Sequence, residues 1–318
     1  MTRHLKGLFD PYIVALMVTV ALASLLPPRG GFAVFMGGLT TAGIVLLFFL
    51  HGAKLSREAI LAGAGNWRLH LAVLAATFVL FPALGIGIAA IPGLPIVAAT
   101  GMLFLTLLPS TVQSSIAFTS IARGNVAAAV CSASFSNLAG IFLTPLLAAL
   151  MMGGSGVGAS LAAVEQIVVQ LLLPFLAGHL LRPLVCPFIA RHKAVTGLVD
   201  RGSVLLVVYT AFGAAVIEGL WQRLPMPVLA LIIGLCTALL ALVMAITWTA
   251  GHLLALPRED WIVLLFAGSK KSLASGVPMA GVLFAPAQVG MIILPLMVFH
   301  QIQLMACAVI ARRLGETP

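Results

Sequence analysis

Apolar runs of bilayer length, separated by short stretches of charge, Gly and Pro, follow one another from about residue 11 to about residue 311. They predict helices near residues 11–26, 32–50, 69–91, 96–122 and 126–150, then 163–185, 202–220, 227–254, 261–284 and 288–311. About 20 apolar residues in a helix cross the hydrocarbon core of a bilayer. The pattern therefore predicts an all-α polytopic membrane protein with ten transmembrane helices in two groups of five. Residues 153–162, which include Gly153, Gly154, Gly156 and Gly158, read as a flexible connector. It divides a first repeat, 1–152, from a second, 163–318.

Composition agrees with this pattern and removes the soluble alternatives. Of 318 residues, 62% are apolar and 8% charged, where a soluble domain carries about 25% charged residues. The formal charge of +9 sits at the ends of the apolar runs, where basic side chains orient helices and meet anionic lipid; no nucleic-acid partner is implied. The four cysteines have no metal or redox spacing and read as packing residues, so neither a metal nor a cofactor is expected. Arg3 and Lys6 ahead of residues 11–26 could pass for a secretory signal, but nine further spans follow and the segment is read as the first helix.

Charge asymmetry gives the orientation. With the amino terminus in the cytoplasm, thirteen Lys and Arg fall in inside segments, among them Arg57, Arg123, Arg182, Lys193 and Arg313, and only Arg29 and Arg223 fall outside. Both termini are then cytoplasmic. An odd number of spans per half makes the second half enter from the opposite side, the definition of an inverted repeat. The halves also match locally: Gln113-Ser114-Ser115-Ile116-Ala117 can be laid on Lys270-Lys271-Ser272-Leu273-Ala274, each inside the fourth span of its half.

Those matched stretches are interruptions. Pro109 lacks a backbone donor, and Ser110, Thr111, Gln113, Ser114 and Ser115 after it can satisfy freed backbone groups, so the fourth span should break there. In the ninth, Lys270 and Lys271 lie midway along an apolar run between Ser269 and Ser272. Each Lys at a helix centre costs about 2.5–3.5 kcal/mol, so the pair must meet a partner, an anion or water. One of the two is expected to turn to a cavity and its neighbour to reach a backbone carbonyl or the interface, because adjacent residues diverge by about 100° on a helix. Irregular backbone at membrane depth is tolerated only inside protein or beside an aqueous cavity. Paired breaks thus mark a site, with half-helix amino termini suited to an anion. Candidate binding residues are Thr111, Gln113, Ser114, Ser115, Asn137, Ser269, Lys270, Lys271, Ser272, His300 and Gln303, joined by Thr77.

On Leu108-Pro109-Ser110-Thr111-Val112-Gln113-Ser114-Ser115, Ala122-Arg123-Gly124-Asn125-Val126-Ala127, Gly268-Ser269-Lys270-Lys271-Ser272-Leu273-Ala274 and Phe299-His300-Gln301-Ile302-Gln303-Leu304, the chain resembles the bile acid:sodium symporter superfamily. Within it, the chain is similar to the bacterial branch related to solute carrier family ten member seven. The resemblance implies a panel domain of helices one, two, six and seven, a core domain of the other six, crossing broken helices four and nine, and alternating access. It also implies a loss. The family's sodium-ligand positions fall here on Gln113, Ser114, Ala129, Ala133, Leu265, Lys270 and Thr77, most of which cannot bind a cation.

The expectation that follows is a secondary transporter of the bacterial inner membrane moving a small organic anion, with a Lys in the family's sodium region. Its coupling ion is either absent or a proton or sodium, and its other partner is membrane lipid. Two alternatives stay beside it: a non-transporting sensor or regulator on the same fold, and a membrane-embedded hydrolase using Ser269 or Ser272 with a Lys.

Overall fold

The computed structural model describes residues 11–54, 64–152, 165 and 168–316. The proposed connector 153–162, together with Arg3, Lys6 and Arg57, lies outside the described residues. Among those described there are helices and turns and no strand.

In chain order the helices are α1 (Pro11–Leu25), α2 (Gly30–Lys54), α3 (Trp67–Ala89), α4 (Ile96–Thr106), α5 (Gln113–Ile121), α6 (Val126–Met152) and α7 (Val168–Leu180). They continue as α8 (Arg182–Arg191), α9 (Lys193–Ile217), α10 (Met226–Leu253), α11 (Arg258–Gly268), α12 (Leu273–Leu283) and α13 (Pro286–Glu316). Six of them (α2, α3, α6, α9, α10 and α13) are long and apolar enough to cross a membrane. The bent pair α7 and α8 makes a seventh candidate.

Proline sets several of the boundaries. Within α3, a π-turn over Ala76–Leu80 precedes Pro82 and absorbs the ring that would clash with the preceding turn. A second π-turn, Val168–Leu172, stands in the same relation to Pro174. The span expected at 163–185 instead turns by 89° after Leu180, because Pro183 cannot donate to the carbonyl four residues back and a new helix starts with Arg182. The span expected from residue 202 begins at Lys193: its first turns are polar, and Asp200 there pairs with Lys54 of α2.

The chain divides into two compact units, each drawing on both halves of the sequence: 1–55 with 153–225 and 277–291, and 56–152 with 226–276 and 292–318. In the first, α2 packs against α7 and α9, and α1 against α9. Gly52 faces the Phe175 carbonyl and Gly178 the Phe49 carbonyl, a backbone approach that any side chain at either glycine would block. In the second unit, Leu69 and Val73 of α3, Ala128 and Ala129 of α6, and Val263, Leu264 and Ala267 of α11 form one apolar cluster. This unit contains both helix breaks, α4 to α5 and α11 to α12.

Candidate functional site

The break after α4 leaves a run of backbone carbonyls with no helical donor, and each of five in succession finds a partner. The Thr106 carbonyl accepts from Lys271 Nζ at 2.8 Å, Leu107 from the Thr144 hydroxyl at 2.8 Å, and Leu108 from Lys271 Nζ at 2.6 Å. Pro109 accepts from the Ser272 backbone N–H at 2.9 Å, and Ser110 from Asn137 Nδ2 at 2.9 Å. The Ser110 N–H, which would have served Thr106 in a continuous helix, donates instead to Ser136 Oγ at 2.9 Å.

The break after α11 is held in the same way. The carbonyls of Leu265, Phe266 and Ala267 accept from the hydroxyls of Ser269, Ser115 and Ser110. Gln303, fully buried on α13, grips Lys271 from both sides: its Oε1 accepts from the Lys271 N–H and its Nε2 donates to the Lys271 carbonyl, both at 3.0 Å. The same Nε2 lies 2.9 Å from His300 Nδ1. Because the amide nitrogen only donates, His300 Nδ1 accepts, which places the ring proton on Nε2.

The two lysines diverge. Lys271 is fully buried and donates to three carbonyls, those of Thr106 and Leu108 and, at 2.9 Å, that of Thr77. The Thr77 carbonyl lies in the π-turn, where the donor five residues on would be Pro82, which has none. Three acceptors match the three N–H groups an ammonium would offer, and the Phe81 ring centroid lies 4.1 Å from Nζ. Lys270 is equally buried, but its Nζ has no hydrogen-bond partner among the described residues and lies over the rings of Phe118 and Phe266, at 4.1 and 5.4 Å.

Of the other candidates, Thr111 shares hydrogen bonds with the hydroxyls of Ser114 and Ser115. Asn137 Oδ1 accepts from Ser275, whose hydroxyl in turn accepts from Ser272. Ser269 is committed to its own helix and Ser272 caps the start of α12, so neither hydroxyl pairs with a lysine amine as a hydrolase would need. Gln113, at the first position of α5, is exposed and stands outside this network.

Sequence reasoning did not foresee three sets of contacts at the site. Ser110 and Thr144 cross between the broken segments and their neighbours. Buried His70 meets Ser132 at 2.8 Å and packs edge-on to Phe135. Buried Asp260 accepts from the side-chain amides of Asn66, at 2.6 Å, and Asn125, at 2.9 Å, joining the amino ends of α3, α6 and α11. An Asn immediately before two apolar runs and an acid in the first turn of a third were the available signals. No three His, Cys, Asp or Glu gather into a metal cluster among the described residues.

An ammonium fixed inside broken helices, within a chain carrying several membrane-length helices, defines a multi-pass membrane protein built around an intramembrane polar site. Comparison with known proteins gives the class a family. Residues 10–316 match the SBF-like CPA transporter family, and the chain belongs to it. It is 52% identical over 96% of its length to the Escherichia coli protein named "Putative symporter YfeH", covering 93% of that protein. It is 55% identical over 96% of its length to "Uncharacterized protein PA2026" of Pseudomonas aeruginosa, covering 92% of it. More distantly, it is 25% identical over 94% of its length to "Sodium/bile acid cotransporter 7" of Xenopus tropicalis, covering 90% of that chain. This chain is thus a membrane transporter of the bile acid:sodium symporter type and not an enzyme.

Proposed function

We propose that the protein moves a small organic anion across the bacterial inner membrane by alternating access, and that Lys271 stands permanently where a coupling sodium ion would otherwise sit. The carrying observation is the Lys271 ammonium among three backbone carbonyls released by the α4 break and the π-turn. Carbonyl oxygens at helix ends are the ligands that transporters of broken-helix design offer to sodium. A lysine there supplies the same charge without being able to leave, and a second cation beside it would meet strong repulsion. The family resemblance read from the sequence implied Lys270 for that role; the three carbonyl contacts support Lys271 instead.

The anion follows from charge balance. The three carbonyls are dipoles and not carboxylates, so Lys271 keeps its positive charge, and Lys270 adds a further basic group. The buried acid of this unit, Asp260, is occupied with two Asn amides. The binding set we assign is Thr111, Ser114, Ser115, Asn137, Lys270 and His300, with Thr77, Lys271, Gln303, Ser269 and Ser272 holding its frame; Gln113, exposed at the head of α5, completes it.

The inverted repeat has support from paired contacts. Ser110 donates to the Ala267 carbonyl across 157 residues. The same offset carries Ser115 to Ser272 and Phe266 back to Pro109, and Ser115 bonds the Phe266 carbonyl as Ser272 bonds that of Pro109. Contacts of α1 with α9 and of α7 with α2 exchange under the same relation of halves, as do those of α3 with α4 and α10 with α11. We therefore count α4 with α5, and α11 with α12, as single broken spans. With α1 and α7 this gives ten helices, in repeats 1–152 and 163–318 about the connector 153–162, both termini cytoplasmic. The first compact unit holds α1, α2, α7 and α9, the helices we assign to a panel, together with residues 277–291 of the ninth and tenth spans.

The test is uptake of a panel of radiolabelled small carboxylates and sulfonates into vesicles containing the overproduced protein, in choline buffer free of sodium. Saturable uptake above vector control, lost in Lys270→Glu, is expected. Absence of uptake of every anion tested, or uptake unchanged in Lys270→Glu, overturns the reading.

A further inference from the structure

Three basic groups lie at the breaks, and hydrogen-bond geometry fixes two of them. Lys271 needs all three ammonium N–H groups for its three carbonyls, so its charge is constant. His300 has its Nδ1 turned to a donating amide, which an imidazolium would oppose with N–H against N–H. Lys270 is different. Its Nζ is buried, without an acceptor among the described residues, and lies over the ring faces of Phe118 and Phe266. An ammonium so placed loses its hydration and gains a cation–π contact with two Phe rings, a ring type weaker than Trp in this role. The amine, in contrast, sits there without a charge to desolvate.

The groups facing Lys270 do not supply a counter-ion. α5 contributes no titratable side chain over Gln113–Ile121. On α11, Arg258, Glu259 and Asp260 lie in the first turn, at the far end from Lys270; Arg258 bonds the Leu314 carbonyl and Asp260 its two Asn amides. α3 and α6 carry His70, bonded to Ser132, and Cys131. On α13, Cys307 is the titratable group in electrostatic contact with the Lys270 amine, and as a thiol it is neutral.

We propose that Lys270 carries the coupling proton: an amine while enclosed by Phe118 and Phe266, it takes a proton from water as the anion arrives, becomes the counter-charge of that anion, and releases the proton on the other side. This rests on the transport reading above and adds its coupling chemistry. One proton travels with each monoanion, so the cycle is electroneutral, and no electron changes hands. Phe118, on the short helix α5 beside the polar break residues, is the side chain whose displacement uncovers the amine.

The chain contains five lysines, few enough to resolve by NMR of full-length protein with 15N,13C-labelled lysine in lipid nanodiscs. Assignment uses Lys270→Arg and Lys270→Met, so that failure of one variant to fold leaves the other. As pH is lowered from about 9 to about 5, the Lys270 side-chain signal is expected to pass from amine to ammonium while that of Lys271 stays ammonium throughout. A Lys270 signal that is ammonium at every pH, or amine at every pH, or a titrating buried lysine that survives in Lys270→Arg, overturns the proposal. Because no substrate is needed, this result stands apart from the uptake screen that tests the transport reading.

Discussion

Lys271 Nζ lies 2.9 Å from the carbonyl oxygen of Thr77, a residue 194 positions earlier whose backbone acceptor is left open by the donorless Pro82. A proline in one helix and a lysine in the break between two others thus complete each other: the first releases an acceptor, and the second occupies it. Neither is tolerable alone, since a bare carbonyl and a bare ammonium each carry a desolvation cost.

Replacing Lys271 by Met leaves the carbonyls of Thr77, Thr106 and Leu108 buried without a donor. Each buried carbonyl left without a donor costs about 1–3 kcal/mol. The variant should unfold at markedly lower temperature or denaturant concentration in nanodiscs. A loss below about 1 kcal/mol contradicts the role given to these three bonds.

Gln303→Glu separates the two halves of that residue's grip. The carboxylate still accepts from the Lys271 N–H but cannot donate to the Lys271 carbonyl or to His300. A stability loss of about 1–3 kcal/mol is expected, with Gln303→Leu losing more because the N–H is then orphaned as well. Chemical denaturation of the two variants side by side checks the order.

The two hydroxyl contacts that hold the end of α11 make a prediction about their coupling. Ser115→Ala strips the donor from the Phe266 carbonyl, and Ser110→Ala strips that of Ala267. Each should cost about 1–3 kcal/mol. Their thermal shifts should combine non-additively in the double variant, since both hydroxyls serve adjacent carbonyls of one helix end. Additive shifts would separate the two contacts into independent sites.

Asp260 offers a test away from the lysines. Asn125→Ala removes one of the two amide donors to this buried carboxylate and also the side-chain oxygen, 3.0 Å from the Ala128 N–H, that caps α6. About 2 kcal/mol of destabilisation is expected from the combined losses. Asp260→Asn should recover part of it in the Asn125→Ala background, because an amide carries no charge to satisfy.

Helix positions were legible because apolar runs of bilayer length have one physical use, and the breaks because Pro109 and paired lysines contradict a continuous apolar helix. The pairing of Lys271 with Thr77, in contrast, depends on a π-turn that shifts the hydrogen-bond register by one residue, and nothing in the pattern before Pro82 announces that shift. The exposure of Gln113 was not legible either: the break ends one residue before it, and the new helix turns it outward. Asp260 went unnoticed because an acid at the start of a helix has an ordinary reading as a favourable dipole partner.

The most direct test of a lysine in place of sodium is thermal stability of the purified protein titrated with sodium against potassium at constant ionic strength, for wild type and for Lys271→Ala. Wild type should show no difference between the two salts, while Lys271→Ala, with its carbonyls vacated, should gain a saturable stabilisation specific to sodium. Saturable sodium stabilisation of the wild type would contradict the replacement outright.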